Sequence, residues 1–303
     1  MKVERIAALP GHQNPVYTVE SSQKPGIFFS AGNDKGVVEW SIKTLSHIKV
    51  LVPAPTSVYA LHAVSNFPLL VIGERSGNVR VFDFAQQKVV ATLSHHRLPI
   101  FDITSVKRKN ELIISSEDGS VSIWDLNDFK LLYSFKVSAD TVRSITVNPD
   151  ETLAAFGCKD NLIRIYNLED YSFFKELEGH TMPVTSVQFS PDGRFLLSGG
   201  RDARLNIWST LDFSLKETII AHLFAIYDIR FHPSKPYFAT ASRDKSIKIW
   251  SSETFTLQKV LSREKGIEMH SLSVNKICWD SSTGYLISAG DDKIVMIWNF
   301  EFE

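Results

Sequence analysis

Val184-Thr185-Ser186-Val187-Gln188-Phe189 alternates apolar with polar residues, Ser190-Pro191-Asp192-Gly193 breaks the run, and Phe195-Leu196-Leu197-Ser198 opens a second one. Gly199-Gly200-Arg201-Asp202 ends that run, Leu205-Asn206-Ile207-Trp208 forms a third, and Leu215-Lys216-Glu217-Thr218-Ile219-Ile220 a fourth. Short stretches of period-two alternation bounded by Gly, Pro, Asp and Ser read as strands joined by tight turns. Four such strands in about 40 residues make one blade of a propeller. No helical period competes with this reading.

The same unit recurs along the chain. The aromatic residue ending the third strand stands at Trp40, Phe82, Trp124, Tyr166, Trp208 and Trp250, each 42 residues from the last, and then at Trp298, 48 further on. Six positions earlier in each unit lies Asp34, Ser76, Asp118, Asp160, Asp202, Asp244 or Asp292. Twenty-eight positions before the aromatic lies His12, His96, His180, His222 or His270, with Ala54 and Ser138 in units two and four. Ten before it comes Ser30, Ser198, Thr240 or Ser288, replaced by Ile72, Ile114 and Phe156 in units two to four. About six extra residues around Arg263-Glu264-Lys265-Gly266-Ile267-Glu268 account for the longer last interval. The seventh unit stops after its third strand, while Val3-Glu4-Arg5-Ile6-Ala7-Ala8-Leu9 aligns with the fourth strand of other units. The expected fold is therefore all-β: a seven-bladed β-propeller with four antiparallel strands per blade, closed by the N-terminal strand completing the last blade. Closure removes the exposed edges that invite aggregation. A single domain over residues 1–303 is expected.

These units resemble WD40 repeats. The Gly-His of that family stands at Gly11-His12 and Gly179-His180, and its Trp-Asp at Trp124-Asp125; the dipeptide has drifted to Trp40-Ser41, Phe82-Asp83, Tyr166-Asn167, Trp208-Ser209, Trp250-Ser251 and Trp298-Asn299. The resemblance covers essentially the whole chain. It implies that His12, Ser30, Asp34 and Trp40 form a structural hydrogen-bonded tetrad, as do His180, Ser198, Asp202 and Trp208. The sets His222, Thr240, Asp244, Trp250 and His270, Ser288, Asp292, Trp298 follow. His, Ser and Asp together imitate a catalytic triad, but an enzyme needs one such site, not four at one spacing. Units two to four, short of some of these groups, are expected to form the less rigid arc.

Composition narrows function further. The 303 residues carry 33 Lys and Arg against 34 Asp and Glu, a formal charge of −1, without the basic excess of a nucleic-acid or anionic-membrane coat. Charges interrupt the first nine residues, no run of about 18 apolar residues could span a bilayer, and Cys158 and Cys278 are too few for a disulfide framework. A monomeric cytoplasmic protein with reduced thiols is expected. Asn33-Asp34-Lys35-Gly36 resembles the start of a calcium loop but lacks the downstream ligands, and His95-His96 lacks partners at metal-ligand spacing. No metal, no cofactor and no catalytic residue is expected.

The expected function is a non-catalytic protein–protein interaction scaffold presenting a loop face to peptide or protein partners. In proteins similar to this one, that face carries the turns before the Asp and the start of the first strand. The corresponding candidates are Tyr17, Tyr59 and Phe101 as an aromatic arc on blades one to three, Arg143, Lys159, Arg201 and Arg243 as a basic arc on blades four to six with Tyr227 beside it, and Arg75 on blade two. Aromatic and Arg side chains are enriched at interface hot spots. Two alternatives stand beside this reading: an enzyme or small-ligand binder using the channel mouth, and a nucleic-acid binder using the basic arc of blades four to six. The −1 charge disfavours the second.

Overall fold

The computed structural model describes residues 1–302, and strands dominate them. β1 (Lys2–Leu9) comes first, then β2 (Val16–Ser21), β3 (Ile27–Gly32), β4 (Gly36–Ser41) and β5 (Ser46–Pro53). Next are β6 (Val58–Val64), β7 (Leu69–Glu74), β8 (Asn78–Asp83), β9 (Lys88–Ser94), β10 (Ile100–Val106), β11 (Glu111–Ser116), β12 (Ser120–Asp125) and β13 (Leu131–Lys136). They are followed by β14 (Val142–Val147), β15 (Leu153–Cys158), β16 (Ile163–Asn167), β17 (Phe173–Leu177), β18 (Val184–Phe189), β19 (Phe195–Gly200), β20 (Arg204–Ser209) and β21 (Leu215–Ile220). The chain ends with β22 (Ile226–Phe231), β23 (Tyr237–Ser242), β24 (Ile247–Ser251), β25 (Leu257–Leu261), β26 (Val274–Trp279), β27 (Leu286–Gly290) and β28 (Val295–Glu301). Six four-stranded sheets run in chain order, and the seventh runs β1-β28-β27-β26. This is a seven-bladed β-propeller whose ring is closed by pairing the chain's first strand with its last.

The closing pair is antiparallel, with Val3 opposite Phe300, Arg5 opposite Trp298 and Leu9 opposite Val295. A bulge between Arg5 and Ala7 shifts the register, so that Leu9 enters a core with Val16, Phe28, Trp40, Ile287 and Ile297. In every blade the second strand is nearly all buried, as β19 shows, while fourth strands such as β13, β17 and β21 are largely exposed. A second strand covered on both faces needs apolar residues at consecutive positions, hence Phe28-Phe29 and Leu112-Ile113-Ile114.

Two compact units make up the chain, residues 1–63 with 227–303, and residues 64–226. In the first, β23, β24, β26, β27 and β28 share a core including Ile249, Ile277, Trp279, Leu286 and Trp298. In the second, Ile163 and Ile165 of one blade pack with Val184, Val187, Leu196 and Trp208 of the next. None of the described helices is long and apolar enough to cross a membrane.

Two recurrent turns join the strands. Phe129, Tyr171, Phe213 and Phe255, each five residues past the aromatic anchor, adopt left-handed backbone (φ 59, 58, 57 and 56°). That conformation costs a non-glycine residue roughly 1–2 kcal/mol. It is offset by side-chain burial at Tyr171, Phe213 and Phe255 and by a closed hairpin, as in Ser209 N–H to Ser214 O at 3.0 Å. The second turn, between the second and third strands, places Lys35, Gly77, Gly119, Asn161, Ala203, Lys245 and Lys293 at φ between 58 and 88°. The residue before each is the recurrent Asp or Ser, which in blades two to seven accepts the backbone N–H two positions on: Ser120 N–H to Asp118 at 2.8 Å, Arg204 N–H to Asp202 at 3.2 Å, Ser246 N–H to Asp244 at 3.0 Å. This Asx turn explains why the carboxylate recurs in the fourth blade, which lacks the histidine.

Leu9 is 4% exposed in the core that ring closure completes. Leu9→Ala is expected to destabilise the protein by about 2–5 kcal/mol in urea titration. A loss below about 1 kcal/mol would show that the closing strand contributes little.

Candidate functional site

Beneath the loops lies a directional hydrogen-bond chain. In blade one Trp40 Nε1–H donates to Ser30 Oγ at 2.7 Å, Ser30 Oγ lies 2.7 Å from His12 Nε2, and His12 Nδ1 lies 2.7 Å from Asp34 Oδ2. The carboxylate can only accept, so Nδ1 carries the proton and Nε2 accepts the serine hydroxyl; the network assigns a neutral imidazole. Blade five repeats the chain through Trp208, Ser198, His180 and Asp202, and blade seven through Trp298, Ser288, His270 and Asp292. In blade six Trp250 donates to Thr240 at 2.9 Å and His222 is buried. Ser30, Ser198 and Ser288 are wholly buried, so no substrate reaches their oxygens. Burial lowers the His12 pKa despite the Asp34 carboxylate beside it. Burial alone would raise Asp34, but hydrogen bonds from Asn14, His12 and the Gln13 N–H outweigh it and hold the carboxyl below 3.8.

The third blade corrects the sequence reading. It lacks a hydroxyl at Ile114, yet Ser122, two residues before Trp124, supplies one from the third strand. Trp124 Nε1–H donates to Ser122 Oγ at 2.8 Å, which lies 2.9 Å from His96 Nε2, and His96 Nδ1 is 2.8 Å from Asp118. Blades two and four, expected to be merely depleted, fill the space with ion pairs from that same third-strand position. Arg80 Nε is 2.8 Å from Glu74, a wholly buried carboxylate that also accepts from Ser76. Arg164 bridges Asp160 at 2.7 Å and Glu176 at 2.9 Å, while Ser138, at the histidine position, donates to Asp160 at 2.7 Å. In blade five a Cβ on Gly200 would lie 2.6 Å from Asp202 and 2.7 Å from His180. The equivalent residue is Glu74 or Cys158 where the histidine has become Ala54 or Ser138, but Ser116 and Ser242 stand there in blades that keep His96 and His222. Burial pushes the Cys158 thiol up to about 12, which leaves it inert at neutral pH.

Above these networks a recurrent backbone bond ties pre-Asp residues to the loop after the histidine: Glu117 N–H to Pro99 O at 2.8 Å, Lys159 N–H to Thr141 O at 2.9 Å, Arg201 N–H to Pro183 O at 2.8 Å. In residues 64–226 the candidates fall into two groups. Phe101 and Arg143 are half-buried and engaged with each other, the guanidinium 4.6 Å from the ring centroid. Lys159 is exposed but paired with Asp140 at 2.9 Å. Arg75 and Arg201 are exposed and make no ion pair with any described residue. In residues 1–63 with 227–303, Tyr17 and Tyr59 are half-buried with ring centroids 5.1 Å apart, Tyr227 is half-buried and Arg243 exposed. The aromatic candidates thus spend much of their surface on intramolecular contacts.

What the sequence reading passed over are the apolar residues two positions past the histidine: Leu98, Met182, Phe224 and Leu272, exposed by 46, 47, 56 and 47%, with Leu223 adjoining at 78%. Phe224, Met182 and Arg201 belong together. Thr185 Oγ1 donates to Ile226 O, which sets the Met182 and Phe224 loops side by side, and the Arg201–Pro183 bond brings the guanidinium-bearing loop against the first of them. The recurrence of a large apolar residue at one loop offset was the available signal.

Six segments match the model of the WD domain, G-beta repeat: residues 3–41, 87–125, 129–167, 171–209, 213–251 and 262–299. The first begins on β1 and ends on β4, so the sequence repeat straddles two blades. The unmatched stretch holds the second unit, where Ala54, Ile72, Ser76 and Phe82 stand for all four tetrad residues. No curated protein matches the chain.

Ser122→Ala would leave His96 Nε2 and the Trp124 N–H buried without their partner, and is expected to cost about 1–3 kcal/mol; a change under about 0.5 kcal/mol in chemical denaturation would refute this role. The His12 pKa lies below its unfolded value of 6.5, so its contribution to stability is full above that pH and is lost as pH falls toward the folded value. Denaturation midpoints at pH about 7 and 5 should therefore differ less for His12→Gln than for the wild type, and an unchanged difference would refute the assignment.

Proposed function

As the chain belongs to the WD-domain, G-beta-repeat family, we propose that it is a non-catalytic interaction scaffold that holds a protein or peptide partner on the loop face of its propeller. The observation carrying this reading is the cluster of Met182, Leu223, Phe224 and Arg201 on adjoining loops of residues 64–226. An exposed apolar patch beside a cation without an ion pair is hydrated at a loss in the free protein. A partner with an apolar anchor flanked by an acidic or phosphorylated group covers both, the guanidinium binding a carboxylate or phosphate in bidentate fashion. Within residues 64–226, Phe101 and Arg143 are engaged with each other, and Arg75 and Lys159 are further candidates; Tyr17, Tyr59, Tyr227 and Arg243 are separate candidates in residues 1–63 with 227–303. The tetrads serve as the rigid base, because a fully satisfied buried network leaves a blade one arrangement.

The test is quantitative affinity capture from native extract with the wild type and Arg201→Glu/Phe224→Ser. Losing a central anchor typically costs about 2 kcal/mol or more, so a specific partner should fall ~30-fold in affinity. The same partner recovered equally on a normally folded variant would overturn the assignment.

A further inference from the structure

The 42-residue spacing fails only in the last unit, and the added residues build a flap. Arg263–Lys265 form a single 3-10 turn closed by Gly266 at φ 76°. Arg263 Nε–H donates to Met269 O at 3.0 Å, fastening the flap at its base. Arg5 on β1 donates to Glu268 O at 3.1 Å and pairs with the Glu268 carboxylate, fastening it to the closing strand. A cleft of about 490 Å³ opens between flap, β1 and β25. Val3, Leu257, Val260 and Ile267 give it apolar walls, and Lys259 and Lys265 are its charged residues.

Three features specify an occupant. First, β25 and β1 are each terminal in their sheets, so the cleft runs along strand edges whose backbone groups can accept another strand. An extended peptide uses such an edge through its main chain and alternate side-chain pockets. Second, Lys259 and Lys265 line the cleft, no carboxylate does, and neither lysine makes an ion pair with any described residue. Of the flap's two carboxylates, Glu268 is held by Arg5 and Glu264 does not line the cleft. Third, the apolar walls come from both strands and the flap, as alternating side chains of a bound strand require.

We propose that this cleft binds an extended segment of a partner protein in which acidic and apolar residues alternate. The segment adds to β25 as a fifth strand, its carboxylates toward Lys259 and Lys265 and its apolar side chains against Val3, Leu257 and Ile267. The inference is independent of the loop-face reading.

The probe is a labelled hexapeptide alternating glutamate with valine, compared by fluorescence anisotropy with its lysine–valine counterpart at low salt. The acidic peptide should bind the wild-type chain at least ~tenfold more tightly than the basic one, and Lys259→Glu/Lys265→Glu should reverse that order. Arg201→Glu, on the loop face, should leave it unchanged. Equal binding of both peptides, no binding, or acidic-peptide binding that survives the reversal would overturn the proposal. So would sedimentation showing wild-type self-association that the reversal abolishes, since the occupant would then be a second copy. Should the reversal not fold, Lys259→Gln/Lys265→Gln replaces it, with a ~tenfold loss of acidic-peptide affinity expected.

Discussion

Ring closure is the constraint on which the rest depends. A four-stranded sheet with two apolar faces has no stable existence in water by itself; each face must meet a neighbouring sheet. The pairing of β1 with β28 supplies the missing strand of the last blade from the other end of the chain. It brings Leu9 against Ile287 and Ile297 while Trp40 and Phe28 close over it. Apolar runs such as Leu112-Ile113-Ile114 are then affordable, because both faces of a second strand are dry.

Inside that frame each blade must satisfy polar groups near its turn in a limited volume. The Trp–Ser–His–Asp chain does so in one direction, from indole donor to carboxylate acceptor, and its partners need not come from fixed positions. Ser122 stands in for a second-strand hydroxyl, and Arg80 pairs with Glu74 in the unit that has Ala54 for the histidine. What recurs from blade to blade is a buried polar group at the turn, met by different partners in different blades. The Asp outlasts the histidine because it also closes the left-handed turn, a local demand independent of the network.

That distinction explains what could be read from the sequence. Strand count, blade boundaries and closure follow from the aromatic spacing and the orphan strand Val3–Leu9, which are local patterns multiplied by repetition. Ser122 was hidden because on a strand it reads as an ordinary polar residue, and only the neighbouring strand shows that its hydroxyl faces His96. The Tyr17–Tyr59 and Phe101–Arg143 contacts join residues 42 apart in sequence, so a reading of one unit at a time lists them as exposed candidates when they are half-buried partners. Leu98, Met182 and Phe224 were visible as letters, but an apolar residue in a loop gains meaning only once its neighbours fail to cover it.

Repetition also shows where specific recognition can reside. Positions required for burial, turn closure or the tetrad are tied to the same task in every blade and cannot distinguish one partner from another. The positions released from those tasks are the loop residues past the histidine, the pre-Asp side chains, and the flap of the last unit. Each differs in character from blade to blade: Asn14, Thr56 and Asp140 occupy the offset where Leu98, Met182, Phe224 and Leu272 stand. A propeller with identical blades would present the same chemistry in every direction. This one concentrates apolar exposure and an unpaired guanidinium on a few loops, and an asymmetric surface of that kind can orient a partner as well as bind it.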